Sequence, residues 1–106
     1  MDRVAFKLNL KPGNQAEYKK IHDDIWPEML EVLKEAGISN YTIWNTGDDI
    51  FGYYETPDKA KTYRVLSESP VVDRWNEMMS DIYYPDLDPE TGTVREMKLM
   101  FQFGLI

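Results

Sequence analysis

An α+β fold, with a four-stranded antiparallel sheet carrying helices on one face, is what this chain's residue pattern predicts. Two stretches, residues 3–10 and 38–55, carry the period-two alternation or β-branched and aromatic richness of half-buried strands. The segments between them carry apolar residues at helical spacing, entered through residues suited to capping. The segments run in the order strand, helix, strand, strand, helix, strand.

The first strand places Val4, Phe6, Leu8 and Leu10 on one face and Arg3, Ala5, Lys7 and Asn9 on the other, and Lys11-Pro12-Gly13 ends it. Asn14 with Glu17 three residues on reads as a capping box for a helix that turns Tyr18, Ile21 and Ile25 inward. That helical stretch contains Pro27, which removes a hydrogen bond and clashes with the preceding turn unless it lies in the first turn of a new helix. A break near His22 to Asp24 is therefore expected, with Asp23 and Asp24 as available caps. A second run from about Ile25 then extends to Ala36 and stops at Gly37. The break puts His22 at a helix C-terminus.

Residues 38–45 and 49–55 form a hairpin through Thr46-Gly47-Asp48. Thr56-Pro57-Asp58 opens a weaker helix through Ala60 and Tyr63 to about Leu66, and Ser69-Pro70 caps another carrying Val72, Trp75, Met78 and Met79. From Tyr83 to Gly92 the chain reads as irregular, before a last strand sets Met97, Leu99, Phe101 and Phe103 on one face. This order with an antiparallel sheet is the ferredoxin-like βαββαβ split arrangement. Its open sheet face needs a cover, and a second copy in a two-fold homodimer is the simplest one.

With 106 residues the chain is expected to form one domain spanning 1–106. Its apolar fraction of 42% and its three Trp, seven Tyr and four Phe exceed what a small core needs, which points to an aromatic-lined cleft or subunit contact. A formal charge of -7 repels polyphosphate and disfavours nucleic acid and anionic membranes as partners. The lack of cysteine excludes disulfides, thiolate nucleophiles and iron–sulfur clusters, and one histidine excludes a His-rich metal site, so neither metal nor cofactor is expected. No stretch approaches the roughly 20 apolar residues of a membrane span, and the opening Met1-Asp2-Arg3 begins a strand instead of a signal peptide, so a cytoplasmic protein is expected.

His22 is the only side chain whose ordinary pKa lies near neutrality, so it is the natural proton shuttle at pH 7. Tyr18 precedes it by four residues on the same helix face, and Trp26 follows by four across the break. Helical spacing alone also suits a solvated or core-satisfied histidine. Asp23, Asp24 and Glu28 read as capping and solvating groups before they read as an acid/base pair. On the hairpin, alternation sends Tyr41 to one face and Trp44 to the other, with Tyr53 and Tyr54 on the facing strand. Trp75 and Asn76 offer an apolar plate and an amide, a combination suited to a monosaccharide.

The segment Tyr18-Lys19-Lys20-Ile21-His22-Asp23-Asp24-Ile25-Trp26-Pro27-Glu28-Met29 resembles the hallmark of L-rhamnose mutarotases: a Tyr, three residues, a His, then Ile-Trp-Pro-Glu. The likeness extends along the chain through Gly37, Asn40-Tyr41, Asp73-Arg74-Trp75 and the closing Glu96 to Phe101. It implies a dimeric α/β-barrel protein that interconverts the α and β anomers of L-rhamnose or a similar deoxy-hexose. In that reading His22 donates a proton during ring opening, and Tyr18, Tyr41 and Trp75 contact sugar. The sequence departs at Asn76, where many relatives carry a second Trp, which bears on sugar preference. Two other classes fit the same fold: a monooxygenase of the dimeric α/β-barrel type, which binds heme or consumes oxygen, and a non-catalytic sugar-binding module, which binds without anomer exchange.

Overall fold

A computed structural model describes residues 1–84 and 94–104. Its strands are β1 (Asp2–Leu10), β2 (Ser39–Thr46), β3 (Asp49–Thr56) and the short β4 (Tyr83–Tyr84). Its helices are α1 (Gln15–Asp23), α2 (Pro27–Glu35), α3 (Lys59–Glu68) and α4 (Pro70–Met79). The sheet order is β2-β3-β1-β4 with every pairing antiparallel, the expected ferredoxin-like order.

Alternation decides which sheet face is covered. Val4, Phe6, Leu8 and Leu10 of β1 stand beside Ile50, Tyr54 and Thr56 of β3, and all of them are buried. Tyr18 of α1, Met29 and Val32 of α2, and Trp75 and Met79 of α4 close over that face. Each such large side chain contributes about 1.5–3 kcal/mol by leaving water. Gly52 sits opposite Phe6 in the pairing, and the ring lies so close over it that a Cβ there would fall 2.1 Å from a ring carbon. The glycine is the notch that seats the ring.

The expected break is present. α1 ends at Asp23, and α2 begins with Pro27 at its first position, where a missing N–H costs nothing. The residue before Pro27, Trp26, is the N-cap and makes no side-chain cap bond, so neither Asp23 nor Asp24 caps α2 as expected. Asp24 instead follows the last turn of α1, and Asp23 pairs with Lys19 at 2.7 Å. A residue before proline is pushed to extended geometry, and Trp26 obeys with ψ of 136°. α2 stops as predicted at Gly37, whose φ of +83° lets its own N–H reach Lys34 and that of Ile38 reach Leu33.

The Asn14–Glu17 capping box does not form. The Asn14 amide donates backward to the carbonyls of Lys11 and Pro12 and fastens the preceding turn. The Ser69 cap forms as read, accepting from Val72 N, and within the opening Thr56-Pro57-Asp58 segment it is Asp58 that caps α3, accepting from Lys61 N. Thr62 of α3, fully buried, donates to the carbonyl of Ala36 at 2.7 Å and meets the buried hydroxyl of Thr56 at 2.6 Å.

The C-terminal strand departs from expectation. The irregular stretch 85–93 lies outside the described residues. Beyond it, Glu96 bridges Phe6 and the N–H of Met97 reaches the carbonyl of Ala5, after which no strand is formed among the described residues. Leu99, Phe101 and Phe103 keep 63%, 80% and 93% of their surface exposed, so the alternation is real but has no partner along it. No helix among the described residues is long and apolar enough to cross a membrane.

Candidate active site

His22 stands in the last turn of α1, held by its own helix. Its Nδ1 lies 3.0 Å from the carbonyl oxygen of Tyr18, one turn earlier, and its ring stacks on the Tyr18 ring with centroids 4.3 Å apart and planes 28° from parallel. The i,i+4 spacing produces both contacts. From the other side, α4 brings the Trp75 ring to 5.4 Å from the imidazole, centroid to centroid and nearly perpendicular, and Trp26 meets Trp75 edge to face with centroids 5.2 Å apart. The break at Pro27 allows this by turning Trp26 away from the α1 face and onto α4.

A cleft of about 450 Å³ opens beside this group, within the ordinary range of small-molecule sites. One wall is α1, with Gln15, Ala16, Tyr18, Lys19, His22 and Asp23; the other is Ile43, Trp44 and Asn45 of β2 with Ile50 of β3. The lining is mostly apolar with a few amide, phenol and charged groups at its margin. Such a surface suits a monosaccharide with a hydrophobic edge.

The tyrosines are held as neutral donors. Burial, reinforced by Tyr83, pushes the Tyr18 hydroxyl well above the ordinary phenol range. Burial among the hydroxyls of Tyr18, Tyr54 and Tyr83 does the same for Tyr41, whose hydroxyl is sunk inward although the residue keeps 37% of its surface. Tyr41 rests against Tyr54 with ring centroids 5.5 Å apart and meets Phe6 edge to face at 6.3 Å between centroids. Tyr54 is pushed up to about 12, by burial first and by the charge of Glu96 second. The His22 pKa moves down: burial disfavours the cation and outweighs the opposing pull of the Tyr18 carbonyl and of Asp23.

Of the residues singled out from sequence, Tyr18 and His22 line the cleft together. Tyr41 reaches Tyr18 electrostatically from β2, and Trp75 backs the imidazole from behind. Trp26 supports Trp75 and lines a smaller groove with Ile21 and Met78. Asn76 is exposed on α4 and takes no part in these contacts. The carboxylates serve the surface, Asp23 with Lys19 and Glu28 with Arg74 at 3.4 Å. Sequence reading missed Gln15, Lys19, Ile43 and Asn45. The signals were available: Gln15, Lys19 and His22 follow i, i+4, i+7 on α1, and Ile43 and Asn45 share the phase of Tyr41 on β2.

The sheet order and the cleft beside the imidazole define a small α+β protein with an antiparallel four-stranded sheet and a pocket of small-molecule size. The structure matches the crystal structure of an L-rhamnose mutarotase from Formosa agariphila with a TM-score of 0.79 and 27% identity, covering 98% of this chain and all of that one. It also matches the tetracenomycin F2 cyclase of Streptomyces glaucescens with a TM-score of 0.66, a likeness that at 16% identity speaks to fold alone. In sequence, the L-rhamnose mutarotase of Listeria monocytogenes serotype 4b is 45% identical over 84 residues, 77% of this chain and 80% of that protein. The one from Jannaschia sp. is 42% identical over 96 residues, 85% of this chain and 89% of that protein. The family model for L-rhamnose mutarotase matches residues 3–103, and the chain belongs to the L-rhamnose mutarotase family.

Proposed function

We propose that this protein interconverts the α and β pyranose anomers of L-rhamnose or a closely similar deoxy-hexose, without metal or organic cofactor, as a single-domain cytoplasmic homodimer. The observation that carries the reading is the placement of the chain's one imidazole on the wall of a sugar-sized cleft, beside a buried phenol. Mutarotation asks only that a proton leave the anomeric hydroxyl while the ring oxygen gains one, followed by rotation and reclosure. His22 exchanges a proton with the hemiacetal. Tyr18 and Tyr41 offer neutral hydroxyls to sugar oxygens, and the Trp75 ring, supported by Trp26, fixes the imidazole's tilt. Ile43 and Ile50 give the cleft an apolar floor, suited to a sugar that carries a methyl in place of a hydroxymethyl.

Support for the homodimer comes from unsatisfied surface. Phe51 and Tyr53 lie half-buried on the sheet face away from the helices, and the apolar side chains from Met97 to Phe103 stand exposed. Sedimentation equilibrium at micromolar protein should give twice the 12.5 kDa chain mass. For the activity, saturation-transfer NMR over a panel of free sugars should show faster α/β exchange for L-rhamnose than for sugars bearing a 6-hydroxyl. Binding without any acceleration would leave the non-catalytic sugar module standing instead.

A further inference from the structure

We propose that Asn45 and Gln15 are specificity-determining residues of the sugar site: their side-chain oxygens accept hydrogen bonds from the pyranose hydroxyls across the ring from the anomeric carbon. This rests on the mutarotase reading above and adds which hydroxyls the cleft recognises, and through which atoms.

Two main-chain carbonyls at the β2–β3 connection decide what these amides have to offer. The Asn45 Nδ2 donates to the carbonyl of Gly47 at 2.9 Å and to that of Asp49 at 3.0 Å, which engages both of its hydrogens. From α1, the Gln15 Nε2 donates to the same Gly47 carbonyl. A carbonyl only accepts, so both amides must set their nitrogen against the connection. What each has left for a ligand is its oxygen, and among the described residues neither oxygen accepts a hydrogen bond. The Gly47 carbonyl, with a donor on each lone pair, orients the two cleft walls at once.

Both residues line the cleft that holds His22. Gln15 precedes His22 by seven residues, two turns of α1, so it lies on the same face about 10 Å nearer the helix start. Asn45 pairs with Ile50 and follows Ile43 by two, so it shares the strand face that these residues turn to the cleft. Its bond to Gly47, shared with Gln15, sets it at the Gln15 end. With C1 at His22, a pyranose lying along the cleft brings C3 and C4 toward the two amides.

The remaining polar groups of the cleft leave that role open. Lys19 offers only donors, Tyr18 keeps its phenolic hydrogen, and the Asp23 carboxylate is paired with Lys19 at 2.7 Å. A sugar hydroxyl donates as well as accepts, and an oriented amide oxygen is the acceptor it needs. An acceptor built for a hydroxyl also discriminates, because an analogue lacking that hydroxyl leaves it unpaired.

The test is a cycle between amide and hydroxyl: dissociation constants from titration NMR for L-rhamnose and its 3-deoxy and 4-deoxy analogues, on the parent chain, Asn45→Ala and Gln15→Met. Both positions are exposed, and circular dichroism confirms the fold of each variant. Each variant should bind L-rhamnose about fivefold more weakly than the parent chain, and should bind one of the two analogues as tightly as the parent does. An amide that only fastens the β2–β3 connection would, on removal, weaken all three sugars alike. That uniform loss, or no loss for L-rhamnose, would overturn the proposal. Saturation transfer on the parent samples separates the two readings. Accelerated α/β exchange of L-rhamnose with either of those results sinks this proposal alone, whereas no acceleration sinks the mutarotase reading and this proposal with it.

Discussion

β2 and β3 are neighbours in one sheet, joined by a two-residue turn, yet they live in different surroundings. β3 alternates buried and half-buried side chains along its length, because it lies between β1 and β2 and under the helices. Of the eight residues of β2 only Ile43 is even half-buried, because β2 is the sheet's edge strand. The packed strand gives the cleft only Ile50. The edge strand, with a β-bulge between Ser39 and Thr42 and Asn40 at φ of +50°, supplies a wall of the cleft instead. Stability and chemistry are therefore carried largely by different strands, and substitutions should separate them.

The largest separation is expected on the α1 wall facing β2. His22→Asn should lower the anomer exchange rate by about 10² to 10⁴ while thermal unfolding moves little, since the ring is only half-buried. Saturation-transfer NMR and differential scanning calorimetry on one preparation test both halves of that statement, and an unchanged exchange rate would remove His22 from the mechanism. On the packed strand the sign reverses. Gly52→Ala drives a methyl into the Phe6 ring and should cost about 1–3 kcal/mol of stability. Adding Phe6→Leu should return part of that loss, a coupling measurable by a double-mutant cycle in urea. Because Tyr41 leans on Phe6, some exchange activity should be lost with the glycine.

Smaller effects sharpen the contrast. Trp44, 68% exposed at the cleft margin, should lose about 1 kcal/mol of sugar affinity on replacement by Ala, roughly a fivefold change read by titration NMR. Its stability should stay within about 0.5 kcal/mol of the parent. The smallest effect concerns pH. A histidine whose folded pKa is depressed binds protons more readily when unfolded, so this group costs stability as pH falls through the unfolded value of about 6.5. Urea midpoints should accordingly decline between about pH 7 and pH 5, with a shallower decline in His22→Asn.

Much of the architecture was legible because its signals are local. Alternation in β1, the Pro27 break, the Gly37 stop and the Asp58 and Ser69 caps each involve a few consecutive residues, and all took the form the sequence gives them. The Asn14–Glu17 pair misled because an asparagine amide serves the turn behind it as readily as the helix ahead. The last strand misled because alternation states a preference, whereas a strand exists only where a second backbone pairs with it. In the site, Tyr18 and His22 were legible as an i,i+4 pair, and the family segment marked them as well. Trp75 against His22 is a contact between two helices that no local spacing reveals. Asn76 looked promising as a neighbour of Trp75, but consecutive residues on a helix point about 100° apart, so burying one exposes the other. The β2 wall was missed although Ile43 and Asn45 share the phase of Tyr41, because which phase faces α1 is set by the pairing of β2 with β3 and not by β2 alone.

The hydroxyl pair Thr56–Thr62 ties together three pieces of chain that are far apart in order: β3, α3 and the carbonyl at the end of α2. Both side chains are fully buried, and each also meets the backbone of Asp58, Thr62 at the carbonyl and Thr56 at the N–H. Peeling away one element thus strands polar atoms belonging to its neighbours, which makes piecemeal fraying there costlier than joint release. Amide exchange across this junction should follow a shared opening event, coupling the rear of the molecule into one cooperative unit behind the ligand-facing front.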